Sequence, residues 1–287
     1  MSDDGQFGLS VIAFVGSVFS PYYALARRVG TADPDNYCAL NVALYHRKHK
    51  RWCMTERGRK HTSRDSNRFS IGPSEVHWDG TSLNIRVNEV SAPIPYKVAG
   101  HIRIEPFQLF NFSTPIDLQS KHRWGPIAPS GRVEVSFDDP HQKWIGTAYL
   151  DSNEGDEPIE NGFHSWDWSR SLMANGDTAV LYDMRYKKDS NNTLSLLFNR
   201  QGGVETFEPP MRNELPLTAW RVSRGLRSST AVEISEQLED TPFYQRAIMK
   251  SELLGERVTS FHESLSISRL VSPVVRAMLP WRMPRRF

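Results

Sequence analysis

Cysteine is nearly absent: only Cys38 and Cys53 occur in 287 residues. Two thiols cannot build a disulfide scaffold, and a metal centre usually needs more convergent ligands. They read as reduced thiols of a cytosolic protein rather than as a Cys38–Cys53 bridge. An excess of one charge is missing too. Thirty-five basic and 33 acidic residues leave +2, too little to imply nucleic acid. There is no GxGxxG stretch, GxSxG elbow, P-loop or HExxH helix, so nucleotide, serine-hydrolase and zinc-peptidase chemistry are not indicated. What is left is cofactor-free chemistry or plain binding.

Residues 7–26 carry no charge, which raises a signal peptide or a membrane span. The leading residues include Asp3 and Asp4 and no Lys or Arg, whereas a signal peptide begins positive. Ser10, Gly16, Ser17, Ser20 and Pro21 spoil a spanning helix. A buried strand over 11–19, then a turn at Ser20-Pro21, is the expectation. Helical patterns are scarce. The best begins at Ser272-Pro273 and is expected to stop at Pro280.

What is present is mostly strand pattern and aromatic surface: 8 Trp, 9 Tyr and 14 Phe. Residues 41–45 and 51–55 bracket a basic turn. Residues 76–78 and 83–87 flank Asp79-Gly80, a hairpin signal because the turn favours positive φ. Residues 98–104 and 133–137 alternate apolar and polar, and 144–151 give another strand. Further runs lie at 164–168, 178–185, 193–198, 218–223, 232–238 and 247–254. Many short strands separated by turns predict an all-β chain of barrels or sandwiches. The acidic segment 151–161 divides it into two units, 1–157 and 158–287.

That segment imitates a calcium loop but fails it. Asp156 stands where glycine is required, and Gly162 where a bidentate glutamate is. Asp151 is distinct, because it closes a strand and shares a face with Tyr149 two residues earlier. Likewise His122 shares a face with Trp124, ahead of an irregular connection at Gly125-Pro126 and Pro129. Without further context, Asp151 reads as a strand-end cap. If it is desolvated, burial raises its pKa, and a neutral aspartic acid can donate a proton. The run His164-Ser165-Trp166-Asp167-Trp168 reads as a core strand with tryptophans inward and polar groups outward. Asp183 is a reserve acid. At the C-terminus Arg269, Arg276, Arg282, Arg285 and Arg286 mix with apolar residues and Trp281, as in a surface-seeking amphipathic element. The basic run 46–51 could assist it at an anionic membrane.

Several strings together resemble the carotenoid 1,2-hydratase family, also called hydroxyneurosporene synthase, of photosynthetic bacteria. They are FVGSVFSPYY (14–23), CALNVALY (38–45), MTERG (54–58), HRWGPI (122–127), YLDSN (149–153), WDWSR (166–170), DTAVLYD (177–183), LEDTPFY (238–244) and LPWRMP (279–284). The resemblance implies two lipocalin-like β-barrel units. It implies hydration of the terminal C1=C2 bond of an acyclic carotene of the lycopene or neurosporene type, without a cofactor or metal. It places the functional positions on His122, Trp124, Tyr149 and Asp151. The expected location is peripheral, on the cytoplasmic side of an inner or intracytoplasmic membrane. Leu25 departs from the family, which often has Trp there. The rival reading is a lipocalin-like binding or transport protein for apolar ligands.

Overall fold

The computed structural model describes residues 1–46, 49–187 and 190–286; Arg47 and Lys48 of the expected basic turn, and Phe287, lie outside the described residues. The chain opens with β1 (Phe7–Phe14), α1 (Pro21–Val29), β2 (Cys38–His46) and β3 (Lys50–Arg57). Then come β4 (Thr62–Arg64), β5 (Arg68–Ile71), β6 (Ser74–Trp78), β7 (Leu83–Val90) and β8 (Lys97–Pro106). The middle holds β9 (Thr114–Pro115), β10 (His122–Asp139), β11 (Gln142–Gly155), α2 (Ile159–Gly162), β12 (Phe163–Leu172), β13 (Thr178–Tyr186) and β14 (Asn191–Phe198). The chain continues through β15 (Val204–Thr206), β16 (Arg212–Leu215), β17 (Arg224–Arg227), β18 (Glu233–Asp240), β19 (Tyr244–Leu253) and β20 (Glu256–Ser266). It ends with α3 (Ile267–Leu270), α4 (Pro273–Arg282) and β21 (Arg285–Arg286).

The chain is overwhelmingly β, as expected. It forms two compact units, and neither is a continuous stretch. Unit 1 comprises Met1–Pro106, Gly131–Ala148 and Arg276–Phe287; unit 2 comprises Phe107–Ser130 and Tyr149–Val275. The sequence-based boundary between 157 and 158 falls inside unit 2. The reason is that β10 and β11 are long strands that each pass from one unit into the other. The C-terminal tail, expected with the second unit, joins the first: β21 pairs in parallel with β3.

In unit 1 the β1-β2-β3-β21 sheet packs against the sheet ordered β11-β10-β8-β7-β6-β5-β4. Alternate residues of β2 (Cys38, Leu40, Val42, Leu44) meet Ile71, Ile85, Val87, Ile102, Val135 and Phe137 in one core. Period-two alternation makes this possible, because every second side chain leaves the same face. Cys38 and Cys53 are buried free thiols, and burial pushes the Cys38 thiol up to about 11. The uncharged segment after residue 7 is not a long strand. β1 stops at Phe14, and Gly16 turns the chain at φ +67°. Ser20 then caps α1, accepting from the Tyr23 N–H at 2.9 Å, with Pro21 in its first turn. Ser-Pro is a start signal, and the sequence reading missed it. At the other end, α4 runs past Pro280 to Arg282.

Unit 2 is built on the antiparallel sheet β15-β14-β13-β12-β20-β19-β18, with β16-β17 as a separate pair. Among the described residues no ladder closes either large sheet onto itself. Residues 218–223, expected as a strand, form a loop in which Arg221 has φ +60°, and the strand follows at β17. β20 was not expected at all. Its buried alternate residues are Val258 followed by Ser260, His262 and Ser264, so its inward face carries little apolar signal.

Candidate active site

Three of the four sequence-derived positions meet in unit 2. Trp124 lies on β10, which is a continuous strand here despite Pro126 and Pro129. Tyr149 and Asp151 lie on β11, which continues past Asp151 to Gly155. The Trp124 indole N–H donates to Asp151 Oδ2 at 2.8 Å, and the Tyr149 hydroxyl donates to the same oxygen at 3.3 Å. Among the described residues no hydrogen bond reaches Asp151 Oδ1. Both donors therefore hold one oxygen as an acceptor and leave the other to carry a proton.

The register of the unit 2 sheet supplies the surroundings. Tyr182, Trp168, Glu263 and Arg246 are cross-strand partners in one row across β13, β12, β20 and β19. Partners in register share a face. The Trp124 ring meets Tyr182 edge-on at 5.8 Å, and the Tyr149 ring lies 5.4 Å from Trp168. One step along the same face of β12, the Arg170 guanidinium sits 5.3 Å over the Tyr149 ring. Phe198 adds an edge to Trp124 at 6.5 Å. The carboxyl thus sits among aromatic rings with one guanidinium and one further carboxylate nearby.

Burial pushes the Asp151 carboxyl up to about 6, the Glu263 charge adds to the rise, and the bonds from Trp124 and Tyr149 and the Arg170 charge hold it back. Tyr149 and Tyr182 are raised well above the ordinary phenol range, first by burial and then by Asp151. Both hydroxyls remain donors at any working pH. Tyr149, Asp151 and Arg170 keep part of their surface accessible, yet desolvation dominates the protonation of all three.

His122 is not part of this cluster. Its Nε2 lies 3.0 Å from the Glu157 carbonyl, its Nδ1 3.6 Å from Asp117 Oδ2, and its ring edge meets Phe163 at 5.1 Å. The expectation that it holds Asp151 has no support in these contacts. One ligand atom from each of Asp117, His122 and Glu157 lies within 4.8 Å of the other two, the group best suited to a metal among the described residues. Asp183 is also elsewhere. It accepts from Arg227 at 2.7 Å and Thr193 at 2.6 Å on the opposite face of the sheet. On that face Asp167 is buried rather than outward. It binds Arg185 at 2.8 Å, Arg212 at 2.7 Å and the Ser264 hydroxyl at 2.6 Å. Burial would raise its carboxyl, but Arg185, His262 and Arg212 outweigh that and hold it low. Leu25 is exposed on α1.

The sequence reading missed Arg170 and Glu263. Alternation from Trp166 and Trp168 would have placed Arg170 on the tryptophan face. Glu263 had no such signal, because its strand was not recognised.

The arrangement fits what the chain resembles. The carotenoid hydratase CrtC family model matches residues 11–287. This chain belongs to the carotenoid hydratase family. It is 53% identical over 290 residues to the acyclic carotenoid 1,2-hydratase of Rubrivivax gelatinosus, covering 100% of this chain and 71% of that protein. The hydratase of the same description from Thiocapsa roseopersicina is 51% identical over 288 residues, covering 99% and 71%. That of Cereibacter sphaeroides is 34% identical over 279 residues, covering 96% and 98%. A crystal structure from Nitrosomonas europaea assigned to AttH superposes with a TM-score of 0.65 at 14% identity, covering 92% of this chain and 88% of that one. The likeness extends the lipocalin-type β fold to this hydratase family member.

Proposed function

We propose that the chain is an acyclic carotenoid 1,2-hydratase in which Asp151 is the acid. The observation that carries this reading is the carboxyl with both donors on Oδ2, bare at Oδ1 and raised to about 6 among aromatic rings. An isolated trisubstituted alkene has no carbonyl and no acidic hydrogen, so hydration must begin with a proton arriving at carbon. Asp151 Oδ1 gives its proton to C2. The π electrons form the new C–H bond, and the positive charge falls on tertiary C1. Aromatic faces attract such a cation, and the carboxylate left behind offsets its charge. Water adds to C1, and its surplus proton returns to Asp151. The product is a tertiary alcohol, and the acid is restored. Trp124 and Tyr149 fix the carboxyl and stabilise its anion once the proton has left. An apolar substrate displaces water from around the carboxyl and moves the acid further up.

Peripheral attachment to the cytoplasmic side of a membrane belongs to this proposal. No helix among the described residues is long and apolar enough to cross a membrane. On α4, however, Val274, Met278 and Trp281 are exposed at a spacing that puts them on one face, away from buried Val275 and Leu279. Leu25 and Val29 form a similar exposed pair on α1 beside Arg27 and Arg28. The tail arginines contribute less than expected. Arg269 donates to the carbonyls of Pro242, Arg221 and Trp220, Arg282 lies over Trp52, and Arg285 pairs with buried Glu56.

The test is incubation of the purified chain with lycopene in anionic liposomes made in deuterium oxide, followed by mass analysis. The expected product carries one added water and one non-exchangeable deuterium at C2. Lycopene recovered unchanged would refute the hydratase reading and favour an apolar-ligand carrier. Sedimentation with the liposomes, weakened by Trp281→Ser, tests the membrane contact.

A further inference from the structure

We propose that Asp117, His122 and Glu157 form a binding site for a single divalent cation of the zinc class, separate from the acid at Asp151. The three residues come from three segments of unit 2: the loop after β9, the first residue of β10, and the stretch between β11 and α2. Three convergent N and O groups from separate segments are one requirement of a metal site.

The hydrogen bonding of His122 supplies the second requirement. A carbonyl oxygen only accepts, so Nε2 at 3.0 Å from the Glu157 carbonyl must carry the hydrogen. In the neutral ring Nδ1 then holds a lone pair. That nitrogen is buried and has no hydrogen-bond partner, and it faces the Asp117 carboxylate at 3.6 Å. The side chains of both residues are only 4% exposed. A bare lone pair turned toward a carboxylate in a buried site is repulsive, and a positive centre between them, a metal ion or a proton on Nδ1, makes the contact attractive. With metal–ligand bonds of about 2.1 Å, two ligands of a tetrahedral ion sit roughly 3.4 Å apart, close to the spacing observed.

Each proposed ligand also has an outer partner that leaves one donor atom over. The His122 backbone N–H holds Asp117 Oδ1 at 2.8 Å, the Glu157 carbonyl holds His122 Nε2, and Asn161 holds Glu157 Oε2 at 3.3 Å. Asp117 Oδ2, His122 Nδ1 and Glu157 Oε1 remain. Ligands steadied in this way are the usual outer shell of a metal site. Gly155 backs the ring: a Cβ there would lie 2.6 Å from His122 Cδ2, so any side chain would push the imidazole out of place. Glu157 is half-buried, which leaves a path for the ion. The ion would tie the start of β10, two residues before Trp124, to the segment that follows Asp151. It takes no part in the proton transfer.

The experiment is calorimetric titration of the full chain, stripped with a chelator, with zinc chloride alone. One saturable equivalent is expected. Asp117→Asn and Glu157→Gln should each weaken binding tenfold or more, and Asn161→Ala about tenfold through the outer shell. Asp177→Asn, at a surface turn, should leave it unchanged. Circular dichroism verifies the fold of each variant, and half-buried Glu157 is the substitution most easily tolerated. Absence of a saturable site, or a site indifferent to these substitutions, overturns the proposal. Neither result bears on hydration at Asp151, which the lycopene assay reads separately.

Discussion

Asp151→Asn should remove hydration and at the same time make the protein more stable in mild alkali. Asparagine keeps the shape, and its carbonyl oxygen can still accept from Trp124 and Tyr149. It has no proton to give to carbon. The stability effect follows from the carboxyl's displacement from 3.8 to about 6 in the folded chain. Each pKa unit is worth about 1.4 kcal/mol, so the fully ionised folded state carries a cost of about 3 kcal/mol. The folded pKa lies above the unfolded one. The carboxyl's favourable contribution is therefore complete below about pH 4 and lost as pH rises through about 6. Asparagine has no such loss. Urea denaturation of both proteins from pH 4 to pH 8, followed by tryptophan fluorescence, should show the variant gaining on the parent by about 3 kcal/mol over that range. Parallel stability profiles would refute the raised carboxyl. A variant hydrating lycopene at the parent rate would refute Asp151 as the acid.

The rate of hydration should fall as pH rises through about 6, because the acid must be protonated to act; a rate that climbs through that range speaks against the mechanism. Tyr149→Phe and Glu263→Gln should move this profile in opposite directions. The first removes a bond that lowers the Asp151 pKa and shifts the profile up; the second removes a charge that raises it and shifts the profile down. Asp167→Ala should destabilise by about 3–5 kcal/mol, because Arg185 and Arg212 lose the buried carboxylate between them; a change within the scatter of surface mutants in thermal melts would contradict the network. Gly125→Ala places a Cβ 2.0 Å from the Phe112 carbonyl oxygen, and should cost about 3 kcal/mol or more, read as a lowered melting temperature.

The β class, most of the strands, the reduced thiols and the family are legible in the amino-acid order, because period-two alternation and local strings are written in neighbouring residues. That order also places Tyr149 and Asp151 on one face, since strand geometry needs no partner. What lies opposite that face depends on the folded chain. Trp124 meets Asp151 from another strand, and Trp168, Arg170 and Glu263 arrive through the register of β12 and β20. No local pattern encodes a register between strands almost a hundred residues apart. For the same reason His122, two residues from Trp124 in the chain, turns to Asp117 and Glu157 instead of the acid. The unit boundaries escaped the sequence because β10 and β11 each serve both units, so composition does not change where the packing does.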